Sequence, residues 1–388
     1  MSIYLDHNAG SPIRPEVRDA IGALLESGAA NPSSVHRRGQ NARRWLEEAR
    51  RQLALLIGAH PRQVVFCSGG TEANNLAIAG VIALPAGRRR IVSSSIEHSS
   101  ILKPLARAEA DGMEVVRIAP DRQGRIQPRD VLAHIDQHTA LVTLGLANSE
   151  VGTIQNFFGV SAQCQAAGAV FHIDAAQALG RIAVDVSESG CDLMTLSGHK
   201  IGAPAGIGAL FVRDPSMIVA QLAGGPQEHG LRAGTPNLIG AVAFGAAAAA
   251  VRARLDEESA RMAALRDFML SRLMAEIPGL CLNSPDDRLL PNTLNLAFPA
   301  VSGETMLIAL DLEGVEVSMG SACAAGAVEP SHVLIAMGRS VEIARSSLRL
   351  SLGWSTTADE VEEACRRIVT VWRRIARSGN RSIEVPAS

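Results

Sequence analysis

Lysine is nearly missing from this chain of 388 residues. Only two are present, Lys103 and Lys200, among 37 basic residues. Arginine does almost all of the cationic work, but an arginine stays charged and forms no Schiff base. A lysine amine can lose its proton in a desolvated pocket and condense with an aldehyde. Lys103, in Ile101-Leu102-Lys103-Pro104, reads as a surface charge. Lys200 closes Leu196-Ser197-Gly198-His199-Lys200, straight after an apolar run. It is the candidate for chemistry that arginine cannot do.

Other shortages narrow the class. Neither charge is in excess: the net charge is −2 and the pI about 6.6, which argues against a nucleic acid or other polyanion as partner. No apolar run reaches the roughly 18–20 residues of a membrane span, so no membrane association is expected. The start, Met1-Ser2-Ile3-Tyr4-Leu5-Asp6, has neither a basic region nor a signal core, and a cytoplasmic protein is expected. The six cysteines (67, 164, 191, 281, 323 and 365) form no CxxC pair, and no histidine stands at zinc-finger spacing. A disulfide framework or structural zinc is therefore not expected, and most of these thiols should be small buried hydrophobes.

Hydrophobic residues make up 47% of the chain, enough for one large domain and a smaller one. Short β-rich runs at 63–67, 90–94, 140–146, 169–173, 193–196 and 208–212 alternate with helical segments such as 72–84 and 160–167. That alternation predicts an α/β domain with a mainly parallel sheet. Residues 238–275 read as one long or two consecutive helices ended by Pro278-Gly279. Strand-like runs at 293–298 and 315–318 follow, then a helix from about 331, an amphipathic helix over 358–376 and a loose tail from 378. The expected division is a large domain over 15–255 and a smaller α+β domain made of 1–14 and 256–388.

In an α/β sheet, function collects at the carboxyl ends of the strands. Cys67-Ser68-Gly69-Gly70-Thr71-Glu72 follows a β-run and opens a helix, where glycines and free amides suit a phosphate. Taken alone this is equally a tight strand-to-helix connection. Asp174 ends the run Phe171-His172-Ile173-Asp174. A carboxylate there can keep a pyridinium nitrogen protonated, or can simply cap a helix. His98 follows another strand and can stack on a ring and move protons, or serve as a capping histidine. A phosphate cradle, a carboxylate, an imidazole and a privileged lysine together match what pyridoxal phosphate requires.

With these residues the sequence resembles the cysteine desulfurases of the NifS/IscS type, in the class V aminotransferase superfamily (pyridoxal-phosphate fold type I). The motifs that carry the resemblance run in the family's order along nearly the whole chain: Asn31-Pro32-Ser33-Ser34-Val35-His36, Ser68-Gly69-Gly70-Thr71-Glu72, Glu97-His98, Ala147-Asn148-Ser149-Glu150, Asp174-Ala175-Ala176-Gln177, Ser197-Gly198-His199-Lys200, Arg232-Ala233-Gly234-Thr235 and Gly320-Ser321-Ala322-Cys323. The resemblance implies a large domain with a seven-stranded sheet sandwiched by helices, and pyridoxal 5'-phosphate as cofactor. Lys200 would form the Schiff base, Asp174 would pair with the ring nitrogen, and Gln177 would donate to the ring hydroxyl oxygen. His98 would stack on the ring and help move protons. Gly70, Thr71, Ser197 and His199 would bind phosphate, and Thr235 would do so from the partner subunit of a homodimer. Asn148, beside the cofactor, and Arg349 would hold the substrate carboxylate. A guanidinium in the apolar run Leu348-Arg349-Leu350 suits a bidentate clamp, and also a structural salt bridge.

The stretch from Met319 to Pro330 is small, nearly uncharged and suited to swinging. By the resemblance, Cys323 within it is the persulfide carrier. Only a thiolate is nucleophilic, so a proton acceptor such as His98 is needed at neutral pH. The implied reaction takes sulfur from L-cysteine, releases L-alanine and leaves a persulfide on Cys323. Its acceptors would be an iron–sulfur scaffold or another sulfur carrier. No metal site of the chain's own is expected, although Cys323 would be placed to share a scaffold-bound iron–sulfur cluster transiently. Gly10 and Ser11 stand where the family usually has two threonines, and Met319 replaces a more usual small polar residue. A selenocysteine lyase or another β-lyase of the same superfamily is the alternative enzyme. An idle sulfur-transfer binding subunit is the alternative outside enzymology.

Overall fold

The computed structural model describes residues 2–320 and 329–381, with side chains through residue 377. Its strands are β1 (Ile3–Tyr4), β2 (Val64–Cys67), β3 (Arg90–Ser94), β4 (Glu114–Ile118), β5 (Thr139–Gly145), β6 (Val170–Asp174), β7 (Leu193–Ser197), β8 (Gly208–Val212), β9 (Cys281–Leu282), β10 (Thr293–Ala297), β11 (Val315–Glu316) and β12 (Ser347–Ser351). Seven of them form one sheet in the order β2-β8-β7-β6-β5-β3-β4. All of its pairings are parallel except those of β8, which is antiparallel to both β2 and β7. Ser197 and Gly208 face each other where β7 turns into β8. So short a link cannot make a crossover, which dictates the reversal. Because β8 is reversed against both neighbours, β2 regains the common direction. The carboxyl ends of β2, β3, β5, β6 and β7 therefore meet at one edge.

The sheet is covered on both faces, as the two-sided burial of β2, β7 and β8 requires. Along β2 the side chains alternate: Val64 and Phe66 join a cluster with Leu53, Phe171 and Phe244, while Val65 and Cys67 join one with Leu76, Leu105 and Leu141. A separate cluster unites Ile3 and Leu5 with Leu296, Leu350, Val361 and Ile368. The helix Leu238–Glu276 is a single helix that serves both: Phe244 and Val251 lie in the sheet's core, Met269 and Leu273 in the separate one. Its apolar first half has a mean hydropathy of 1.5 over an 18-residue window, long and apolar enough for a membrane span by composition alone. More than half of that window is buried inside the protein, so its apolar side already has a partner.

Two expectations need correction. The edge strand β4 is missing from the sequence reading because Glu114 and Arg117 break its apolar pattern and lie exposed. Residues 378–381, expected in a loose tail, belong instead to the closing helix Ala358–Arg381.

A buried ion pair braces the strand that leads into the glycine turn. Arg50 reaches Glu228 with both terminal nitrogens, at 2.7 and 2.9 Å, and also donates to the Val64 carbonyl at 2.6 Å. The Phe66 amide donates to Glu228 at 2.8 Å. Both side chains are only 3% exposed, so loss of Glu228 leaves the buried guanidinium with only the half-exposed Glu47, at 3.3 Å, as counter-charge. Glu228→Ala is expected to cost about 3–5 kcal/mol of stability, read as a lowered denaturation midpoint in urea. A loss under about 1 kcal/mol would contradict the bracing role.

Candidate active site

A cavity of about 420 Å³ opens at the shared carboxyl edge of the strands. Gly70, Thr71, His98, Asn148, Asp174, Gln177, Ser197, His199 and Lys200 all line it. The fold thus gathers into one place residues that are far apart in sequence.

The glycine turn joins β2 to the helix Gly70–Ile82. The first amides of any helix lack carbonyl partners in their own turn, so those of Gly70, Thr71 and Glu72 form a polar cup. Gly208 must be glycine, because a Cβ there would lie 2.5 Å from the Gly69 carbonyl carbon. The close approach keeps the turn against β8. Glu72 braces it too, accepting from the Ser68 amide at 2.7 Å and pairing with Arg232 at 2.8 Å. Across the cup, Ser197 Oγ lies 3.0 Å from His199 Nδ1. Burial, with help from Lys200 and Arg181, holds the His199 pKa down to about 4, so the imidazole is neutral at pH 7.

Asp174 ends β6 with its Oδ1 accepting from the Ala176 amide at 2.9 Å and its Oδ2 from Asn74 Nδ2 at 2.8 Å. Asn74 Nδ2 also donates to Ser100 Oγ at 2.8 Å, and Ser100 Oγ lies 2.8 Å from His98 Nδ1. His98 Nδ1 accepts from the Ser100 amide as well, at 3.1 Å, and so caps the helix Ser99–Ala110. With its lone pair committed there, the neutral ring carries its proton on Nε2. Burial chiefly, then Lys200 and His332, lowers the His98 pKa. A hydrogen-bonded chain therefore links the carboxylate to the imidazole. Behind it, Glu97 receives Ser94 Oγ at 2.5 Å and the Gly145 amide at 2.9 Å, and burial lifts its pKa to about 7.

Lys200 Nζ donates to the carbonyls of Asn8 (2.6 Å) and Ala9 (2.9 Å), and among the described residues no carboxylate is in hydrogen-bond contact with it. Burial first, then the guanidinium charges of Arg181 and Arg349, brings its pKa down to about 7. The same strap is tied by Gln177 Nε2 to the Asn8 carbonyl (3.1 Å), and Ser11 Oγ reaches the Lys200 carbonyl at 3.0 Å. Ser11 is thus an anchor beneath the lysine. At Gly10 an added Cβ would meet only His199 Cδ2, at 3.6 Å, so a larger side chain fits there.

The remaining expected residues make other contacts. Arg349 does not line the cavity: it pairs with Asp6 at 2.6 Å and donates to the Ser149 carbonyl at 3.2 Å. Asn148 spends its carbonyl on the amides of Glu150 (2.9 Å) and Val151 (3.1 Å), and donates to the Ile96 carbonyl at 3.1 Å. Thr235 is exposed and lies outside the cavity lining of its own chain. Cys323 lies outside the described residues. The residues missed in the sequence are Asn74, Ser100 and Asn8. Asn74, 1% exposed, stands next to Asn75 in the polar start of its helix, so the sequence did not single it out. Asn8 acts through its backbone carbonyl, which no side-chain pattern reveals.

The lining fits a phosphorylated pyridine aldehyde. The helix start and the Ser197–His199 pair suit its phosphate, Asp174 its ring nitrogen and Lys200 its aldehyde. Among the described residues Gln177 Oε1 and Asn74 Oδ1 are also buried without a partner, the mark of a site built for further polar contacts.

The chain belongs to the aminotransferase class-V family, which it matches over residues 3–363. Within that family it is similar to enzymes named for one reaction. It is 39% identical over 378 residues to "Cysteine desulfurase IscS" of Dictyoglomus turgidum, covering 96% of each chain. It is 40% identical over 370 residues to "IscS-like cysteine desulfurase" of Mycobacterium tuberculosis, covering 93% of this chain and 94% of that one. Among solved structures it superposes on a NifS-like protein with a TM-score of 0.87 at 30% identity, covering 96% of this chain and 100% of that one. It also superposes on SspA in complex with cysteine, with a TM-score of 0.80 at 32% identity, covering 91% and 99%.

Three histidines near the site are held neutral by burial: His199 (to about 4), His7 (to about 3) and, behind Asp174, His172 (to about 4). In the unfolded chain each titrates near 6.5. Across that interval these histidines make the unfolded state bind more protons, while the buried carboxyls of Glu97 and Glu150, with raised pKa values, act the opposite way. With three groups against two, stability is expected to fall as the pH drops from about 6.5 toward about 4. Urea unfolding at a series of pH values should show that decline, with proton uptake on unfolding. Stability that is flat from pH 7 to pH 5 would contradict it.

Proposed function

We infer that this chain is a cysteine desulfurase, using pyridoxal 5'-phosphate to move sulfur from L-cysteine to Cys323. The observation that carries this reading is the Lys200 amine, desolvated in a cavity that also holds Asp174, His98 and a helix start. The relatives named above support the choice of reaction, and the neighbour that binds cysteine supports the choice of substrate. Gly70, Thr71, Ser197 and His199 would hold the phosphate, Asp174 and Gln177 the ring, and His98 its face. When bound, the coenzyme supplies an aldehyde carbon and a ring that withdraws electrons from the substrate α-carbon.

This chain's residues do the rest. Lys200, unprotonated for a large share of the time near pH 7, is a base for the substrate α-proton. Asp174 carries the negative charge that keeps the ring nitrogen protonated, and Asn74 fixes its orientation. His98, with its proton on Nε2, is placed to exchange protons at the sulfur. Cys323, as thiolate, attacks the substrate sulfur. An S–S bond forms, the C–S bond breaks, and its electron pair stays on carbon, which takes a proton on the way to alanine. Five other thiols are poor rivals: Cys67, Cys164, Cys191 and Cys365 are buried with raised pKa values, and Cys281 is half-buried away from the cavity. By the family likeness Arg349, whose Nε has no acceptor among the described residues, would hold the substrate carboxylate together with Asn148.

The wider proposal includes a homodimer, in which Thr235 completes the phosphate site of the partner. It also includes delivery of the persulfide to an iron–sulfur scaffold or another sulfur carrier, in the cytoplasm. Among the described residues none of the cysteines is paired, which suits a reducing compartment.

Two variants test the assignment. Cys323→Ser is expected to release sulfide and alanine from cysteine at least ~100-fold more slowly. Full activity in that variant would remove Cys323 as the nucleophile. Lys200→Ala is expected to lose the visible absorbance of the lysine-bound coenzyme. Comparing rates on cysteine and selenocysteine separates the desulfurase from a selenocysteine lyase.

A further inference from the structure

Arg181 is the buried cation that the site's chemistry has not used. It is 4% exposed. Its Nη1 donates to the Gln177 carbonyl at 2.8 Å and its Nη2 to the His7 carbonyl at 3.0 Å. Carbonyls satisfy its hydrogen bonds but do not cancel its charge. No carboxylate influences it among the described residues, and Arg349 is the charge that it meets. Other buried arginines differ: Arg14 pairs with Glu258, Arg50 with Glu228 and Arg349 with Asp6.

The two carbonyls Arg181 holds matter for the lysine. Gln177 reaches from its side chain to the Asn8 carbonyl, and His7 directly precedes Asn8 and Ala9, whose carbonyls receive Lys200 Nζ. The charged groups that act on Lys200 are Arg181, Arg349, Asp6 and Asp174, with His98 and His199 close enough to feel the lysine in turn. Asp6 is engaged by Arg349, and both histidines are pushed toward neutrality. That leaves Arg181 as the cation facing the lysine without a counter-charge of its own, opposed at the amine by Asp174, the weakest of those charges. Two cations in one desolvated corner repel, and the one that holds its proton less tightly releases it to solvent. Lysine is the weaker base of the pair.

We propose that Arg181 is a positioning residue that fixes the Asn8–Ala9 strap and, as an unpaired buried guanidinium, keeps the Lys200 amine in its unprotonated form. This rests on the reading of Lys200 as the amine that condenses with the coenzyme aldehyde, and it can be tested without the coenzyme.

The scarcity of lysine makes the test direct. The full-length chain, freed of coenzyme and labelled with [ε-13C]lysine, should give two resonances, assigned with Lys200→Arg. The Lys200 resonance is expected to titrate with a midpoint near 7, and Lys103 serves as the internal reference. In Arg181→Met and Arg181→Gln, the Lys200 midpoint should climb above ~8, while Lys103 and the circular dichroism stay put. An unchanged midpoint in folded variants would overturn the proposal. A wild-type Lys200 midpoint near 10.5 would also overturn it, so the proposal stays open to refutation even if both variants fail to fold. Adding pyridoxal phosphate in a separate arm shows whether Lys200 takes up the aldehyde. Failure there would count against the coenzyme reading alone.

Discussion

The site depends on an amine that has been taken out of water and given only carbonyls to hold it. Lys200 lies on the short helical turn Gly198–Lys200 that follows β7, and its acceptors are the backbone oxygens of Asn8 and Ala9. A carboxylate in that place would favour the ammonium form and close the route to a Schiff base. A carbonyl accepts a hydrogen bond from either form and adds no full charge. The strap therefore orients the amine without locking its proton on. Its own placement comes from the pairing of Asp6 beside Ser351 and from Ser11 beneath Lys200, so two distant parts of the chain set the geometry of one nitrogen.

The rest of the site follows from strand direction. β2, β3, β5, β6 and β7 all deliver their carboxyl ends to one edge, because the single reversed strand β8 is inserted between β2 and β7. Asp174 ends β6, Ser197 ends β7, and the glycine turn follows β2. Each is placed by the strand before it, and strands buried on both faces do not slip register at small cost. The hydrogen-bonded path Asp174–Asn74–Ser100–His98 then links three separate elements across the cavity wall. It couples the acid's orientation to the tautomer of the imidazole, so neither side chain is free to turn alone.

Much of this was legible in the sequence for physical reasons. The parallel sheet shows as apolar runs with no alternation of polar residues, separated by helical segments. Lys200, Asp174, His98 and the glycine turn show because each follows such a run. What was hidden falls into two kinds. The strand β4 lies at the sheet's edge, where charged residues are tolerated, so its pattern resembles a loop. The strap and its clasp act through backbone carbonyls of residues 7, 8 and 9, and a carbonyl is common to every residue type. Arg349 was read as a carboxylate clamp because a guanidinium in an apolar strand needs an anion. In the structure Arg349 meets Asp6, and the substrate role that the resemblance implies for it stays a proposal.

A chain that has replaced nearly all of its lysine with arginine also limits how its interior handles charge. A buried lysine short of a partner can discard its proton, whereas a buried arginine holds its charge far more firmly. Each buried guanidinium must then be paired or have its charge felt by its neighbours. Arg14, Arg50 and Arg349 meet carboxylates at 2.6–2.7 Å, which offsets much of their charge. Arg181 has only carbonyls, so its field reaches whatever cation lies nearest. In that corner the group that can respond is the amine of Lys200. Having one adjustable cation among fixed ones is what turns a general composition bias into a local property of the reacting nitrogen.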